Sequence, residues 1–252
     1  MMYHPTLEKL QQLKLTGMLH ALQEQEAIQD IRNLPFEERL GLMVDRELTE
    51  RGNRRMQTRL RMAKLKQGAA LEDIDFKSTR GLDRSLIMKL AGCEWVASHL
   101  NVLITGATGL GKTFLACALA HKACREGYSS HYVRLTRLFQ ELDIGRADGR
   151  YGKMMRQLAK ADVLILDEWG LAVLTDQHRR DLLEILDDRY NIRATIIITS
   201  QLPIAHWHEA VGDPTLADAI LDRVVHNSYK INLSGSSMRK EREKLTTDRP
   251  TP

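Results

Sequence analysis

The feature that most constrains this chain is the glycine-rich segment Gly106–Thr113, which has the sequence GATGLGKT. It matches the pattern G-x-x-x-x-G-K-[ST] of a phosphate-binding loop. An apolar, β-branched run at 102–105 precedes it, and an alanine- and leucine-rich run at 114–123 follows it. These runs predict a buried parallel strand and a helix, which are the flanks that such a loop requires. The alternative, a chance glycine turn before a helix, needs all eight positions and both flanks to coincide.

Each residue type in this loop has a reason to be there if a polyphosphate is bound. Glycines let the backbone N–H groups approach the phosphates and allow positive φ values. The helix that starts at the loop points the positive end of its dipole at the anion. Lys112 supplies a point charge near the β- and γ-phosphates, and Thr113 supplies a hydroxyl to Mg²⁺. The predicted phosphate-binding residues are Gly106, Ala107, Thr108, Gly109, Leu110, Gly111, Lys112 and Thr113.

A second apolar run, at 163–166, ends in the acidic pair Asp167 and Glu168. Ligands of parallel α/β sheets gather at the carboxyl ends of the strands. We therefore expect Asp167 to reach the Mg²⁺ shell and Glu168 to polarise the attacking water as a general base. An acidic turn after a core strand is the alternative. A third run, at 194–199, precedes Ser200. The hydroxyl of Ser200, or a group on a neighbouring residue, could contact the γ-phosphate or the water, or could simply cap the strand.

Length and composition indicate a globular protein. The 252 residues allow one large domain or a medium domain with a small one, and 43% of them are apolar. No run of 18 apolar residues and no signal-peptide core is present, so we expect no membrane association. Cys93, Cys117 and Cys124 lack C-x-x-C spacing, which favours core thiols in a reducing cytoplasm.

Hydrophobic periodicity divides the chain into a helical first part, residues 1–66, and an α/β part from residue 102. The first part has one apolar stripe at Leu15, Met18, Leu19 and Leu22, and another at Phe36, Leu40, Met43, Val44 and Leu48. We interpret both stripes as helix–helix core; a groove for a partner protein is the alternative. The second part alternates strands and helices, which predicts a parallel sheet. The predicted strands are 102–105, 131–135, 163–167 and 194–199, and the predicted helices are 112–125, 136–143, 150–160 and 176–190.

Charge is unevenly distributed over a chain whose net charge is +4. Residues 1–50 hold five basic and nine acidic side chains, whereas residues 51–66 hold seven basic side chains and no acidic one. Such a run suits the phosphate backbone of a nucleic acid, although a solvated helix face is the alternative. The basic residues are Arg51, Arg54, Arg55, Arg59, Arg61, Lys64 and Lys66.

The order of these motifs resembles that of the AAA+ ATPases. After the loop and Asp167-Glu168 come Thr199-Ser200-Gln201, Leu221-Asp222-Arg223 and Ser237-Met238-Arg239. Within the AAA+ proteins the chain resembles the initiator and helicase-loader clade, above all the IstB-like transposition helper ATPases of bacterial insertion sequences, akin to the helicase loader DnaC. The resemblance covers nearly the whole chain. The loop occurs in many families, whereas the contexts around Ser200–Pro203 and Gly235–Arg239 are more specific.

The resemblance implies a fold and a set of roles. The fold is a P-loop AAA+ parallel sheet flanked by helices, with a helical domain at 1–66, a nucleotide-binding core at 67–205, a helical lid at 206–242 and a flexible tail at 243–252. ATP and Mg²⁺ are the implied ligands. Ser200 resembles sensor 1, where many relatives have Asn, and Arg239 resembles sensor 2. Arg223 resembles the arginine finger that reaches a neighbouring subunit's nucleotide. An extra helical element at 144–158 faces DNA with Arg146, Arg150, Lys153 and Arg156.

The implied function is ATP-dependent assembly of a homo-oligomer on duplex DNA. The oligomer bends the DNA and delivers it to a transposase encoded by the same element, and hydrolysis dismantles it. A helicase loader is the alternative, in which the N-terminal helices bind a replicative helicase. A monomeric small-molecule kinase is a third reading, against which Asp167-Glu168 and Arg223 argue because they suit water attack and an intersubunit finger. The chain has no further acidic cluster suited to two-metal strand cleavage.

Overall fold

A computed structural model describes residues 5–78, 80–191 and 195–238 of the protein. The chain divides into two compact units, Met1–Thr58 and Arg59–Pro252. Sequence reasoning placed the corresponding boundary after residue 66. The fourth helix runs from Phe36 to Ala63 and contains the point of division. In the described ranges no helix is both long enough and apolar enough to cross a membrane.

The first unit is built from helices in its described part. These are α1 (Pro5–Gln12), α2 (Thr16–Ala27), α3 (Gln29–Arg32) and α4 (Phe36–Ala63), of which the last continues beyond the unit. Helices α2 and α4 approach closely at Gly17, where an added Cβ would lie 2.6 Å from the Cα of Glu47. The buried Glu47 carboxylate accepts hydrogen bonds from the backbone N–H groups of Gly17 (2.7 Å) and Met18 (3.2 Å) at the start of α2. The carboxylate therefore satisfies donors that a helix start leaves without intrahelical partners.

One of the two apolar stripes differs from its interpretation as core. On α4, Phe36, Leu40, Val44 and Leu48 are 72%, 38%, 41% and 64% exposed. The face of α4 that turns inward carries Glu47 instead, with Met43 half-buried beside it. The prediction of a helix–helix core was therefore wrong for these four residues. Residue type alone favoured them, whereas the charged Glu47 is buried because α2 supplies its hydrogen bonds.

The second unit is an α/β fold around a five-stranded parallel sheet with the order β2-β3-β4-β1-β5. The strands are β1 (Asn101–Gly106), β2 (Ser130–Arg134), β3 (Val163–Trp169), β4 (Thr195–Ser200) and β5 (Ser228–Leu233). The helices are α5 (Arg84–Ala91), α6 (Glu94–Ala97), α7 (Lys112–Arg125), α8 (Leu135–Ala147), α9 (Tyr151–Lys160), α10 (Asp176–Asn191), α11 (Trp207–Val211) and α12 (Pro214–Val225). The predicted fold class is thus confirmed.

Strand β5 corrects the prediction of a helical lid over 206–242. It pairs in parallel with β1 along its whole length, from Asn101 beside Ser228 to Gly106 beside Leu233. Helix α12 packs Ala217, Ile220 and Val224 into the hydrophobic core on one face of the sheet. Residues 206–233 therefore belong to the sheet and its covering helices. The predicted flexible tail, 243–252, lies outside the described residues.

The sheet brings the carboxyl ends of its strands to one edge. Arg134 at the end of β2 is in register with Asp167 of β3, and Thr105 of β1 is in register with Ser200 of β4. The strands behind this edge are buried; Val102, Leu103 and Ile104 of β1 are 0% exposed. A rigid apolar core therefore holds the polar strand ends in place.

Candidate functional site

The loop Gly106–Thr113 connects β1 to α7, as its sequence context predicts. Gly106, Gly109 and Gly111 have φ values of +140°, +89° and +87°. The space around them is also closed, because an added Cβ would overlap the Leu233 carbonyl oxygen at Gly106 and the Ser237 side chain at Gly109. Glycine is therefore required twice over, for backbone conformation and for close approach. Helix α7 starts at Lys112, so its N-terminal dipole end faces the loop.

Lys112 lies over the loop that precedes it. Its ammonium group donates hydrogen bonds to the carbonyl oxygens of Gly106 (2.7 Å) and Ala107 (2.8 Å). A pocket of about 300 Å³ opens beside this loop. Its lining includes Lys112, Thr113, Asp167 and Glu168, so the residues predicted from the two motifs meet at one cavity. This volume falls at the lower end of the range of small-ligand sites.

Asp167 is the centre of a hydrogen-bond cluster at the end of β3. Its carboxylate is 0% exposed and accepts hydrogen bonds from three hydroxyl groups: those of Thr113 (3.0 Å), Tyr132 (2.5 Å) and Thr199. Burial, together with the hydrogen bond to Asp167, raises the pKa of Tyr132, so its hydroxyl remains a donor. Thr113 and Asp167 thus place a hydroxyl and a carboxylate oxygen side by side, which are the oxygen donors that Mg²⁺ prefers.

Glu168 has an unusual backbone and two cationic neighbours. Its φ is +68°, a strained value for a residue with a side chain, and the pairing of β3 with β4 is irregular between Leu166 and Trp169. One carboxylate oxygen lies 3.1 Å from Nε of Arg134, and the other lies 3.7 Å from Nζ of Lys66. The irregularity turns the carboxylate out of the strand and into the pocket.

Lys66 is a member of this site that sequence reasoning assigned to nucleic acid. Its Nζ lies 3.7 Å from Asp167 and 3.7 Å from Glu168, and its side chain is 35% exposed. A single cation therefore lies against both acids. The basic run predicted a charged surface around Lys66, but nothing in the sequence indicated that Lys66 faces the acidic pair. The contact joins residues about 100 positions apart in the chain.

Arg80 is a second residue that sequence reasoning did not find. It is 3% exposed and donates hydrogen bonds to the carbonyl oxygens of Leu110 (3.0 Å) and Asp75 (3.0 Å). Burial lowers the pKa of its guanidinium below the ordinary value. Arg80 therefore fixes the connector before α5 against the underside of the phosphate loop, where it also lines the pocket.

Ser200 lines the pocket, but its hydroxyl is engaged within the chain. Its hydroxyl is fully buried, donates to the Trp169 carbonyl oxygen (2.9 Å) and accepts from the Leu202 N–H (3.0 Å). The preceding residue, Thr199, is the one whose hydroxyl donates to Asp167, and it accepts from the backbone N–H of Glu168 (3.3 Å). Because successive side chains of a strand point to opposite faces, a shift of one residue changes which hydroxyl serves the acidic pair.

Arg223 lies far from the phosphate loop of its own chain. It is on α12, where its backbone carbonyl accepts a hydrogen bond from Asn101 (3.1 Å), the first residue of β1. The loop follows the other end of this strand, which is about 20 Å long by the usual rise per residue. The Arg223 guanidinium pairs with Asp187 of α10 and is 27% exposed. Arg239 lies outside the described residues.

Comparison with known proteins agrees with this geometry. The family model of the IstB-like ATP binding proteins matches residues 8–246. The chain belongs to the IstB-like ATP-binding family. An insertion sequence ATP-binding protein of Sinorhizobium fredii is 51% identical over 97% of this chain and 99% of its own length. The IS21 insertion sequence ATP-binding protein of Pseudomonas aeruginosa is 36% identical, with 98% and 92% covered.

A solved structure shares the fold of this IstB-like protein. The crystal structure of DnaI superposes with a TM-score of 0.58 at 23% identity, covering 71% of this chain and 94% of that one. The two chains thus share this fold. The match to the IstB-like family supports ATP as the nucleotide that the pocket accepts.

The basic run of this IstB-like protein is partly engaged within the chain. In the first unit, Arg51 and Arg54 lie 2.6 Å and 3.6 Å from Glu47, and Arg55 is exposed. In the second unit, Nε of Arg59 donates to the Cys124 carbonyl (2.9 Å). Arg61 and Lys64 are exposed there. The run itself holds no acidic residue, but Glu47, one turn before it, pairs with Arg51 and Arg54.

The second predicted basic element, residues 144–158, also contains both paired and exposed basic side chains. Residues 144–158 form the end of α8 and most of α9, so the extra helical element after β2 is present. Arg146 pairs with the buried Asp181 and lies 4.3 Å from the ring centroid of Tyr151. Arg150 pairs with Asp148 at 2.6 Å, and Lys153 is exposed. The contacts of Arg146 are those of a residue that stabilises α9 rather than of a free cation.

Proposed function

We propose that this protein is an ATPase that assembles on duplex DNA and prepares it for a transposase. In this proposal ATP binds in the pocket beside Gly106–Thr113, and copies of the chain join through the bound nucleotide. The assembly bends the DNA and presents it to the transposase of the same insertion sequence. Hydrolysis then releases the copies from one another, so the nucleotide sets the lifetime of the assembly.

The roles within one chain follow from the side chains at the pocket. The backbone of the loop and Lys112 bind the phosphates, and Thr113 and Asp167 hold Mg²⁺, which neutralises charge on the phosphates. Glu168 accepts the proton of the attacking water, for which its half-buried carboxylate at the wall of the pocket is suited. Thr199 and Tyr132 orient Asp167 by hydrogen bonds, as second-layer partners of metal ligands commonly do.

The proposal that copies join through the nucleotide rests on the position of Arg223. This residue lies at the end of the sheet opposite the phosphate loop of its own chain. An arginine there cannot serve its own pocket without a large rearrangement, but it can reach a nucleotide bound by a neighbouring copy. Such contacts are head-to-tail, because one surface binds a different surface on the next copy. An arginine supplied in this way accelerates phosphoryl transfer by about 10³- to 10⁵-fold in known cases.

The variant Arg223→Ala tests this assignment. Hydrolysis should fall by at least about 10³-fold while binding of a fluorescent ATP analogue stays within a few-fold of wild type. Asp187→Ala is the matched control, because it breaks the same ion pair but keeps the arginine. If Asp187→Ala loses as much activity as Arg223→Ala, the pair is structural and the finger assignment fails. Activity per protomer should also rise with protein concentration.

DNA binding in this proposal depends on the exposed basic residues Arg55, Arg61, Lys64 and Lys153. Each phosphate that they neutralise releases counterions, so the affinity for duplex DNA should fall steeply with salt, by a slope of about 0.9 per phosphate in a log–log plot. Replacing Arg61 by Ala should reduce this slope by about one, whereas Arg146→Ala should leave it unchanged because Arg146 pairs with Asp181. A flat salt response would contradict the assignment of these residues to DNA.

The partner distinguishes this proposal from a helicase loader. Immobilised protein with ATP and DNA should retain the transposase of its own element and not a replicative helicase. Retention of the helicase alone would favour the loader. We place the activity in the cytoplasm, where the three cysteines, which are free and buried, would remain thiols.

A further inference from the structure

Arg80 is a buried cation that touches the backbone of the phosphate loop. An added Cβ at Gly111 would lie 2.7 Å from its Nη1, so the lack of a side chain at Gly111 lets the guanidinium reach the loop. Nη1 donates to the Leu110 carbonyl oxygen (3.0 Å), and Nη2 donates to the Asp75 carbonyl oxygen (3.0 Å). The guanidinium is therefore in direct contact with the segment that would bind the phosphates.

The hydrogen bond to Leu110 fixes the direction of a loop N–H group. The peptide bonds of the loop are trans, and in a planar trans peptide the carbonyl oxygen and the next N–H group point in opposite directions. Because Arg80 holds the Leu110 carbonyl, the Gly111 N–H points away from Arg80. The Gly109 carbonyl is held in the same way by the backbone N–H of Met238 (3.1 Å), which turns the Leu110 N–H away from Met238. The protein itself thus orients two successive N–H groups of the loop.

Oriented N–H groups on successive residues are what an anion-binding loop requires. A peptide that was free to turn could point its carbonyl oxygen at the pocket, where the partial negative charge of that oxygen would repel a phosphate. A loop whose carbonyl oxygens are already held elsewhere loses less conformational freedom when an anion binds, and this preorganisation raises affinity. The contact between Arg80 and Leu110 therefore acts on phosphate binding as well as on the position of the connector.

The positive charge of Arg80 is incompletely compensated by its contacts. Its acceptors are the two carbonyl oxygens and the sulfur of Met238 (3.0 Å), none of which carries a net charge. Among the described residues its Nε has no hydrogen-bond partner, although Arg80 is only 3% exposed. Burial lowers the pKa of the guanidinium, so the attraction of the Asp75 carboxylate does not offset desolvation. An anion in the adjoining pocket would supply the missing compensation.

We propose that Arg80 is a positioning residue for phosphate binding, which holds the loop in its anion-binding conformation and adds a buried positive charge beside it. The inference rests on the proposed binding of ATP in this pocket. Because Arg80 acts on the phosphates, the affinities for ATP and for inorganic triphosphate depend on it alike. A connector residue that recognised the base would instead change the affinity for ATP and leave that for inorganic triphosphate unchanged.

Calorimetric titration of the full-length protein with inorganic triphosphate and Mg²⁺ tests this role. Arg80→Met removes the charge and the donors, and it should weaken inorganic triphosphate and a non-hydrolysable ATP analogue by the same factor, about ten- to a hundred-fold. Arg84→Met is the matched control, because Arg84 is exposed and lies over the ring of Phe76; it should change either affinity by less than about three-fold. An unchanged affinity of Arg80→Met for inorganic triphosphate would overturn the proposal. A wild-type protein that bound neither ligand would overturn the proposed ATP site itself.

A second measurement uses the wild-type protein and so does not depend on the folding of a variant. In hydrogen exchange followed by NMR, the Leu110 and Gly111 amides should exchange at least about ten-fold more slowly with saturating inorganic triphosphate than without it. Amides that gain no protection would show that these N–H groups do not face the phosphates, and the proposal would fail. Arg80→Lys, which restores the charge and a donor, should recover part of the affinity that Arg80→Met loses. An Arg80→Lys protein that bound no better than Arg80→Met would contradict the role of the charge.

Discussion

Two buried carboxylates, one in each unit, show how the same chemical group is used differently. Glu47 accepts hydrogen bonds from two backbone N–H groups and from Arg51 (2.6 Å), all of which are fixed by α2 and α4. Asp167 accepts from three hydroxyl groups, and Lys66 lies 3.7 Å away. Hydroxyl groups can rotate toward other acceptors, whereas backbone N–H groups in a helix cannot.

The difference separates a structural acid from a functional one. The partners of Glu47 complete a helix start, so the acid stabilises the fold of the first unit. The partners of Asp167 are Thr113, which we propose to hold Mg²⁺ together with it, and two residues that orient the carboxylate. Burial alone does not distinguish them, because Glu47 is 5% exposed and Asp167 is 0% exposed.

The largest expected effect is that of Asp167→Asn. The amide keeps the shape of the side chain but removes the negative charge that holds the cation, so hydrolysis should fall by about 10²- to 10⁴-fold. The melting temperature should change little, since a hydroxyl group that faces the amide oxygen can still donate to it and one that faces the new NH₂ group can rotate and accept from it. A hydrolysis assay and a thermal melt on one preparation check both. A strongly destabilised Asp167→Asn variant with normal activity would show that Asp167 is the structural acid.

The next largest effect is that of Glu47→Gln, which should lower stability and leave nucleotide binding unchanged. Loss of the charge weakens hydrogen bonds from Gly17, Met18 and Arg51, which should destabilise the first unit by about 1–3 kcal/mol. Hydrogen exchange of the α2 amides should accelerate accordingly, and ATP-analogue binding should be unchanged. Glu24→Gln is the control, because Glu24 is 58% exposed. A change in nucleotide binding without faster exchange would show that Glu47 is not purely structural.

The lowered pKa of Glu47 predicts that the stability of the first unit depends on pH. Burial by itself raises the pKa of Glu47, but the hydrogen bonds from Arg51, Met18 and Gly17 outweigh it, so the pKa lies below the ordinary value of 4.5. Because the pKa is lower in the folded state, the stabilisation is present above pH 4.5 and is lost as the pH falls through the folded-state pKa. Exchange of the α2 amides should therefore accelerate below pH 4.5 in the wild type and less so in Glu47→Gln.

The smallest effect is that of Lys66→Met. Lys66 supplies a positive charge against Asp167 and Glu168, where Mg²⁺ would compete with it. Without Lys66 the concentration of Mg²⁺ that half-saturates ATP-analogue binding should fall by about three- to ten-fold, because like charges no longer repel. Lys77→Met, an exposed lysine of the connector, is the control. A higher Mg²⁺ requirement would mean that Lys66 supports metal binding instead.

The parts of the site that short contiguous motifs specify could be predicted from the sequence. The loop, Thr113, Asp167 and Glu168 were identified because each motif is contiguous and follows a buried strand. Three of the four predicted strands have continuous apolar runs, at 102–105, 163–166 and 194–199. Strand β5 was missed because it is an edge strand whose burial alternates, with Ile231 and Leu233 buried between exposed residues, and its six residues resemble a loop.

Contacts that depend on the order of strands could not be predicted from the chain alone. Tyr132 and Thr199 meet Asp167 because β2 and β4 flank β3, an order that local sequence does not specify. Arg80 carried no motif at all. The exposure of Phe36, Leu40, Val44 and Leu48 on α4 was also missed, because apolar periodicity identifies one face of a helix but not whether the chain itself covers that face.

Mixing two inactive proteins tests the central claim, that ATP is bound at the contact between copies. Arg223→Ala has an intact pocket but no arginine for its neighbour, and Glu168→Gln has the arginine but no base. If the arginine acts on the neighbouring copy, an equimolar mixture should recover about a quarter of wild-type hydrolysis, since about one contact in four then joins an intact pocket to an intact arginine. If the mixture stays as inactive as its components, the arginine acts within its own chain or not at all, and the account is contradicted.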